Sequence, residues 1–327
     1  MSILRNKDLG SIFFPYFTEE EKRIKTEGID LAYYCSLDTL FNILSNKEIW
    51  LRNIRCMSDR KELLFGYNTL KEALYEDKDR LKRLIGALSA IDISKRDKWV
   101  QLFDAVFTDV ENNSLLSKIS KYTNIICFTE HDSKNDENGR LDMFNSYGRD
   151  NGGCIIIDGP KAVSLNTGLS KVIYVKGSND PILESVLEQL IRSIENNIVY
   201  LRQVDYTFID CYVKNAIIYA MASIKHYGFS YEKEWRLILN SQVVHNGKNQ
   251  SDYIINCVPV CLNGVPQMVF KQSLVGQESL LKKVIMENKF EQMEEKYCLE
   301  HLLRTKWKLS KEKASEMVVI SNIPIKR

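Results

Sequence analysis

Between residues 31 and 52 the spacing of apolar side chains changes period twice. Leu31-Ala-Tyr-Tyr-Cys35 is an aromatic-rich run of the kind that favours a strand. Ser36 suits a helix N-cap, and Leu37, Leu40, Phe41 and Leu44 follow the i, i+3, i+4, i+7 spacing of an amphipathic helix. Glu48-Ile-Trp-Leu-Arg52 then alternates as a second strand. Asp59, with Glu62 three places on, has capping-box form and opens a helix to about Tyr75. From there to Lys121 the chain reads as charged helix, with Leu84, Leu88, Trp99, Leu102, Phe103 and Val106 supplying apolar faces.

The texture changes at Asn124. Asn124–Thr129 is a short apolar run that predicts a buried strand, followed by a polar loop from Glu130 to Arg140. Leu141–Tyr147 reads as a short helix, Gly152-Gly153 as a turn, Cys154–Asp158 as another buried strand and Lys171–Lys176 as a further one. Two long helices are expected from Pro181 to about Gln203 and from Asp205 to Tyr227. Strands return at Glu234–Leu239, Tyr253–Val260 and Gln267–Phe270, followed by helices near Glu278–Asn288 and Met293–Trp307 and a last strand at Val318–Ile323. Strands and helices neither alternate strictly nor segregate, so the order predicts an α+β fold rather than a doubly wound parallel sheet. With no evident linker, the whole of 1–327 is expected to form one domain, a mixed or split sheet core with helical insertions near 62–121 and 180–227.

Composition narrows the class without naming a function. The chain has 327 residues, 44% hydrophobic and 27% charged, which suits a globular protein and excludes a collagen-like or wholly disordered one. Lys and Arg number 45 against 43 Asp and Glu, so no global field draws the protein to nucleic acid, although a local basic groove is compatible with that balance. Eight cysteines are scattered with no CxxC pair, and four histidines add no zinc spacing. Reduced thiols and no metal are therefore expected. The first fourteen residues lack the apolar stretch of a secretory signal, and the longest near-apolar run, Ala216–Ile224, is too short for a bilayer. A cytoplasmic protein with no membrane segment is the expectation.

Several motifs are missing: GxxxxGK[ST], GxGxxG after a strand, GxSxG and HExxH. Gly148-Arg-Asp-Asn-Gly152-Gly153 offers backbone N–H groups but equally serves as a tight connection. The densest group of unusual residues runs from Lys225 to Leu239. On a regular strand Glu232, Glu234 and Arg236 share one face, opposite Lys233, Trp235 and Leu237. Two close carboxylates raise one another's pKa while an arginine lowers its neighbour's, so the pair can hold different protonation states. A structural ion pair between Glu234 and Arg236 accounts for the same pattern.

These segments resemble a bacterial family known only as domain of unknown function 2971. The resemblance rests on Leu31–Ser36, Leu37–Leu44, Ile49-Trp50-Leu51, Cys127-Phe128-Thr129-Glu130, Met143–Tyr147 leading to Gly153-Cys154-Ile155, Glu232-Lys-Glu-Trp-Arg236 and Ile320–Pro324. The family's Asn-Asp-x-x-Glu segment is Ser58-Asp59-Arg60-Lys61-Glu62 here. That family is in turn remotely similar to the ADP-ribosyltransferase superfamily, whose Glu-x-Glu pattern resembles Glu232-Lys233-Glu234. The resemblance implies NAD as substrate, Glu234 as the catalytic carboxylate stabilising an oxocarbenium-like ribose, and Glu232 orienting the acceptor. It also implies Tyr33, Tyr34, Ser36, Tyr147, Arg52 and Arg236 as NAD-binding candidates; Tyr33 stands where the pattern carries His, and Arg52 or Arg55 would supply the missing cation. A bacterial toxin or anti-phage defence effector acting on a protein or nucleic acid is the function so implied.

Two other classes fit the residues. A nucleic-acid-binding or nucleic-acid-cleaving module would set Arg52, Arg55, Arg60 and Lys61 on phosphates and stack Tyr33, Tyr34 or Tyr147 on bases. A non-catalytic protein would use the apolar helices at 181–227 to bind a partner.

Overall fold

A computed structural model describes residues 6–56, 60–108, 120–148, 151–165, 168–240, 257–262, 264–288 and 292–323. Within these the strands, in chain order, are β1 Asp30–Ser36, β2 Glu48–Asn53, β3 Thr123–His131, β4 Gly152–Ile157, β5 Leu169–Lys171 and β6 Ile173–Val175. They continue as β7 Ile224–His226, β8 Glu234–Asn240, β9 Cys257–Leu262, β10 Val265–Ser273, β11 Leu281–Met286 and β12 Val318–Ile320. The fold is mixed α+β, with a main sheet that is antiparallel except where β11 meets β12. A small second sheet pairs β6 with β7 in parallel.

The main sheet is forked. Along one edge β3 pairs with β8 from Thr123↔Asn240 to Thr129↔Glu234, and β5 lies outside β8. Along its other edge β3 is shared: Asn124 and Ile125 pair with Asn53 and Arg52 of β2, whereas Thr129, Glu130 and His131 pair with Ala32, Leu31 and Asp30 of β1. The registers stop at Ile125 and resume at Thr129. Here β1 and β2 diverge, one leading to β4, β11 and β12 and the other to β10 and β9. The opening between the arms is floored by Ile126, Cys127 and Phe128.

Apolar clusters hold this frame. The largest joins the helices Arg60–Leu70, Lys78–Ile91, Arg96–Phe107, Pro181–Asn196 and Tyr206–Ser223 through Trp99, Phe103, Phe107, Leu187 and Ile217, and meets the sheet at Ile125 and Ile238. A second packs the helices Leu37–Asn46, Met293–Thr305 and Lys311–Met317 on β4, β11 and β12. A third surrounds Trp235 and Phe128 beneath the fork.

The predicted Ser36 cap forms, its Oγ accepting from Thr39 N at 3.4 Å. Asp59 and residues 253–256 lie outside the described residues. Six expectations need correction. Residues 281–286 are a strand, because Val284, Ile285 and Met286 are all buried between β4 and β12. Gly152-Gly153 is the start of β4 rather than a turn; a Cβ there would meet Glu287 Oε2 at 2.7 Å and Leu40 Cδ1 at 2.5 Å. The run 171–176 is divided, since the chain leaves β8 after Lys171 and joins β7 from Ile173. The helix expected to reach Tyr227 ends at Ser223, where β7 begins, and the final strand ends at Ile320. Glu232 does not share a strand face with Glu234. It closes a 3₁₀ helix, Tyr227–Glu232, and Lys233 takes the left-handed conformation (φ 46°) before β8 begins at Glu234.

Candidate functional site

That irregular entry to β8 gathers the charges. The left-handed Lys233 lets Glu232 fold back so that both carboxylates reach the ammonium of Lys225 on β7. Lys225 Nζ lies 2.6 Å from Glu232 Oε2 and 2.9 Å from Glu234 Oε2. Glu234 also faces Arg236 two residues on, with Nε to Oε1 at 2.8 Å and Nη2 to Oε2 at 3.0 Å, a bidentate fork. From the helix Arg60–Leu70, Glu62 adds a third carboxylate, paired with Arg236 Nη2 and 3.5 Å from Lys225 Nζ. Arg236 Nη1 donates to Ala222 O. Lys225, Glu232, Glu234 and Arg236 are buried and Glu62 is partly so, so these charges interact in low dielectric.

The two glutamates differ in what surrounds them. Burial pushes Glu234 up, but the charge and hydrogen bonds of Arg236, then Lys225, reverse this and bring it from 4.5 to about 2. Burial raises Glu232 above the usual carboxylate range; Lys225 offsets part of that rise, and the Glu234 charge adds to it. Burial opposes the charge of Lys225, yet Glu234 and Glu62 outweigh it, so this ammonium holds its proton more tightly than an ordinary lysine. The oxygens of Glu234 accept three hydrogen bonds from Lys225 and Arg236. Each oxygen of Glu232 accepts one: Oε2 from Lys225 and Oε1 from Tyr147 OH at 3.2 Å.

The opening of the fork holds a cavity of about 130 Å³. Glu232, Glu234, Tyr33, Tyr147, Trp50 and Arg52 line it, with Cys127 and Phe128 of β3 beneath. The ring of Tyr33 packs beside Phe128 at 5.9 Å between centroids. Tyr34, also on the lining, accepts a hydrogen bond at its hydroxyl oxygen from the backbone N–H of Arg140 at 2.9 Å. Arg52 donates to Gln267 Oε1 at 3.1 Å and Cys56 O at 2.7 Å, which sets its guanidinium at the far wall. Thr129 ties β3 to the backbone carbonyl of Glu232, and Tyr174 OH accepts from the N–H of Glu234 at 2.8 Å.

Six of the eight sequence-selected residues, Tyr33, Tyr34, Arg52, Tyr147, Glu232 and Glu234, therefore meet at one cavity. Two do not line it. Ser36 is occupied with its capping role, and Arg236 stands behind Glu234 with its guanidinium engaged by Glu234, Glu62 and Ala222. Arg55 lines a separate groove with Lys121 and Tyr122, and the Arg60 side chain lies outside the described residues. Lys225 and Glu62 were not legible as site residues, because one sits on a three-residue strand and the other on a remote helix. Among the described residues no group of three or more His, Cys, Asp or Glu is placed to hold a metal ion, and no helix is long and apolar enough to cross a membrane.

Residues 143–237 match the family model described as Protein of unknown function (DUF2971). The match supports the DUF2971 family. It contains Tyr147, Lys225, Glu232, Glu234 and Arg236, and so most of the charged half of the site. No curated protein and no solved structure matches the chain.

Proposed function

We propose that the fork cavity is the active site of an ADP-ribosyltransferase-like enzyme that consumes NAD, as a bacterial toxin or antiviral effector acting in the cytoplasm would. The observation that carries this reading is the convergence of two buried carboxylates, three tyrosines and an arginine on one small cavity in a split sheet. Breaking the bond between nicotinamide and ribose develops positive charge on the sugar. A carboxylate preset in a site shielded from water stabilises that charge far more than one in bulk solvent. Tyr33 and Tyr147 offer ring faces for the nicotinamide, and Arg52 offers a cation for the pyrophosphate.

The two glutamates then divide the work. Glu234, expected from the sequence to be the catalytic carboxylate, has its oxygens engaged by Arg236 and Lys225, so in this reading it fixes the cluster and supplies a standing negative charge while the direct contact passes to Glu232. Glu232 keeps lone pairs for a ribose hydroxyl or for the proton of an incoming acceptor. Its raised pKa brings it closer to the range in which a general base works at neutral pH.

Purified protein incubated with NAD should release nicotinamide. Glu232→Gln should lower the rate by about 10²–10³-fold with the fold retained, and Arg52→Gln should raise KM more than it lowers kcat. No nicotinamide release by the wild-type protein with either protein or nucleic acid as acceptor, or a Glu232→Gln variant as active as wild type, refutes the proposal.

A further inference from the structure

The 3₁₀ helix that delivers Glu232 carries an unusual surface. Tyr227, Phe229 and Tyr231 are respectively 50%, 37% and 46% exposed, and Tyr147, hydrogen-bonded to Glu232, is 41% exposed. A single exposed ring is ordinary, whereas three on one 3₁₀ helix that ends in a cavity-lining glutamate, with Tyr147 on the cavity wall itself, call for a partner. Each is tied to the site or to a cation. Phe229 lies 5.0 Å from Lys225 Nζ, and the carbonyl of Tyr231 accepts from Arg140 Nη2 at 2.7 Å. Lys176 stands 5.3 Å over the Tyr227 ring, and Lys233, next to Glu232, is exposed. Lys225 is paired with the buried Glu232 and Glu234, and Arg140 with Asp142 at 2.6 Å, so the cations this rim presents to solvent are the exposed Lys176 and Lys233.

We infer that this rim binds single-stranded nucleic acid, and, resting on the NAD reading above, that an unpaired base is the acceptor. Rings with π-faces open to solvent take up stacked bases, and ammonium groups beside them meet the phosphates. A duplex hides its base faces and cannot use such a rim. In the transfer, a nitrogen of the base forms a bond to the ribose C1′ as the bond to nicotinamide breaks. Nicotinamide leaves with the bonding electron pair, and the proton of the base nitrogen passes to Glu232.

Fluorescence anisotropy of the full chain with labelled mixed-sequence 12-mers of RNA, DNA and duplex DNA, over a salt series, tests the surface. Single strands should bind with a negative salt slope and at least tenfold more tightly than duplex. Tyr227→Ala and Phe229→Ala should each weaken binding about tenfold; Lys233→Ala should reduce the salt slope. Tyr227→Ala should leave nicotinamide release without oligonucleotide unchanged. Preference between the RNA and DNA strands shows which is the better substrate. Failure of either strand to bind at 50 mM salt, or equal binding of duplex, overturns the inference. Nicotinamide release without oligonucleotide binding sinks this inference alone; oligonucleotide binding without nicotinamide release upholds the surface and sinks the NAD reading.

Discussion

Replacing each glutamate of the pair by glutamine is nearly isosteric, yet the two substitutions should have different energetic consequences. Folding takes the Glu234 carboxyl from 4.5 to about 2. At about 1.4 kcal/mol per tenfold change in proton affinity, that is about 3 kcal/mol of stability. It matches the about 3–5 kcal/mol expected when one member of a buried ion pair is removed and its partners stay charged. Because the folded value is depressed, this contribution is complete above about 4.5 and disappears as pH falls through about 2. Glu232 behaves in the opposite sense: folding raises its pKa, so ionising it costs stability above the ordinary carboxylate range, and glutamine removes that cost. Lys225 keeps Glu234 and Glu62 when Glu232 is neutralised. Urea unfolding at pH 7 should therefore show Glu234→Gln less stable by about 3 kcal/mol and Glu232→Gln within about 1 kcal/mol of wild type. The Glu234→Gln deficit should shrink as pH falls below 4. A Glu232→Gln loss as large as that of Glu234→Gln, or a Glu234→Gln loss that persists at pH 2, would refute the division of roles.

Three further outcomes follow from the same geometry. Tyr147→Phe removes a hydrogen bond that favours ionised Glu232, so the acid limb of the pH–rate profile for nicotinamide release should move to higher pH; an unmoved limb would separate Tyr147 from the chemistry. Glu130 accepts from Lys171 at 2.6 Å and Trp235 at 3.0 Å and pairs with Arg23, so Glu130→Gln should cost about 1–3 kcal/mol in urea unfolding and increase proteolysis in the N-terminal helix Pro15–Glu27. A Cβ at Gly66 would stand 2.1 Å from Met221 O, so Gly66→Ala should push the helices Arg60–Leu70 and Tyr206–Ser223 apart and cost about 1–3 kcal/mol, read as a lower Tm.

Period and capping made much of the frame legible. Leu37–Asn46 announces itself through its Ser36 cap and apolar spacing, and Trp99, Phe103 and Val106 mark a buried helix face. β11 was not legible in the same way. Leu280, Leu281 and Val284, with two lysines between, fit a helical stripe as well as a strand, and only burial between β4 and β12 decides the matter. Gly153 was misread for a related reason: its lack of a side chain serves the close approach of Leu40, which no local pattern encodes.

The site shows the same division between local and distant information. The Glu-x-Glu spacing was visible, but regular strand alternation assigned it the wrong geometry, because a left-handed Lys233 lies outside any periodic rule. More consequential is Lys225. Its ammonium is what makes two adjacent buried carboxylates tolerable, and it arrives on a strand paired with β6 rather than on β8 itself. With Arg236 committed to Glu234 and Lys225 shared between the two glutamates, the cluster stabilises one ionised carboxylate strongly and compensates its neighbour less. Such an asymmetry is not needed to hold β7 against β8, since a single Glu–Lys pair would do so. It is what a site needs if one carboxylate is to stay charged while the other exchanges a proton.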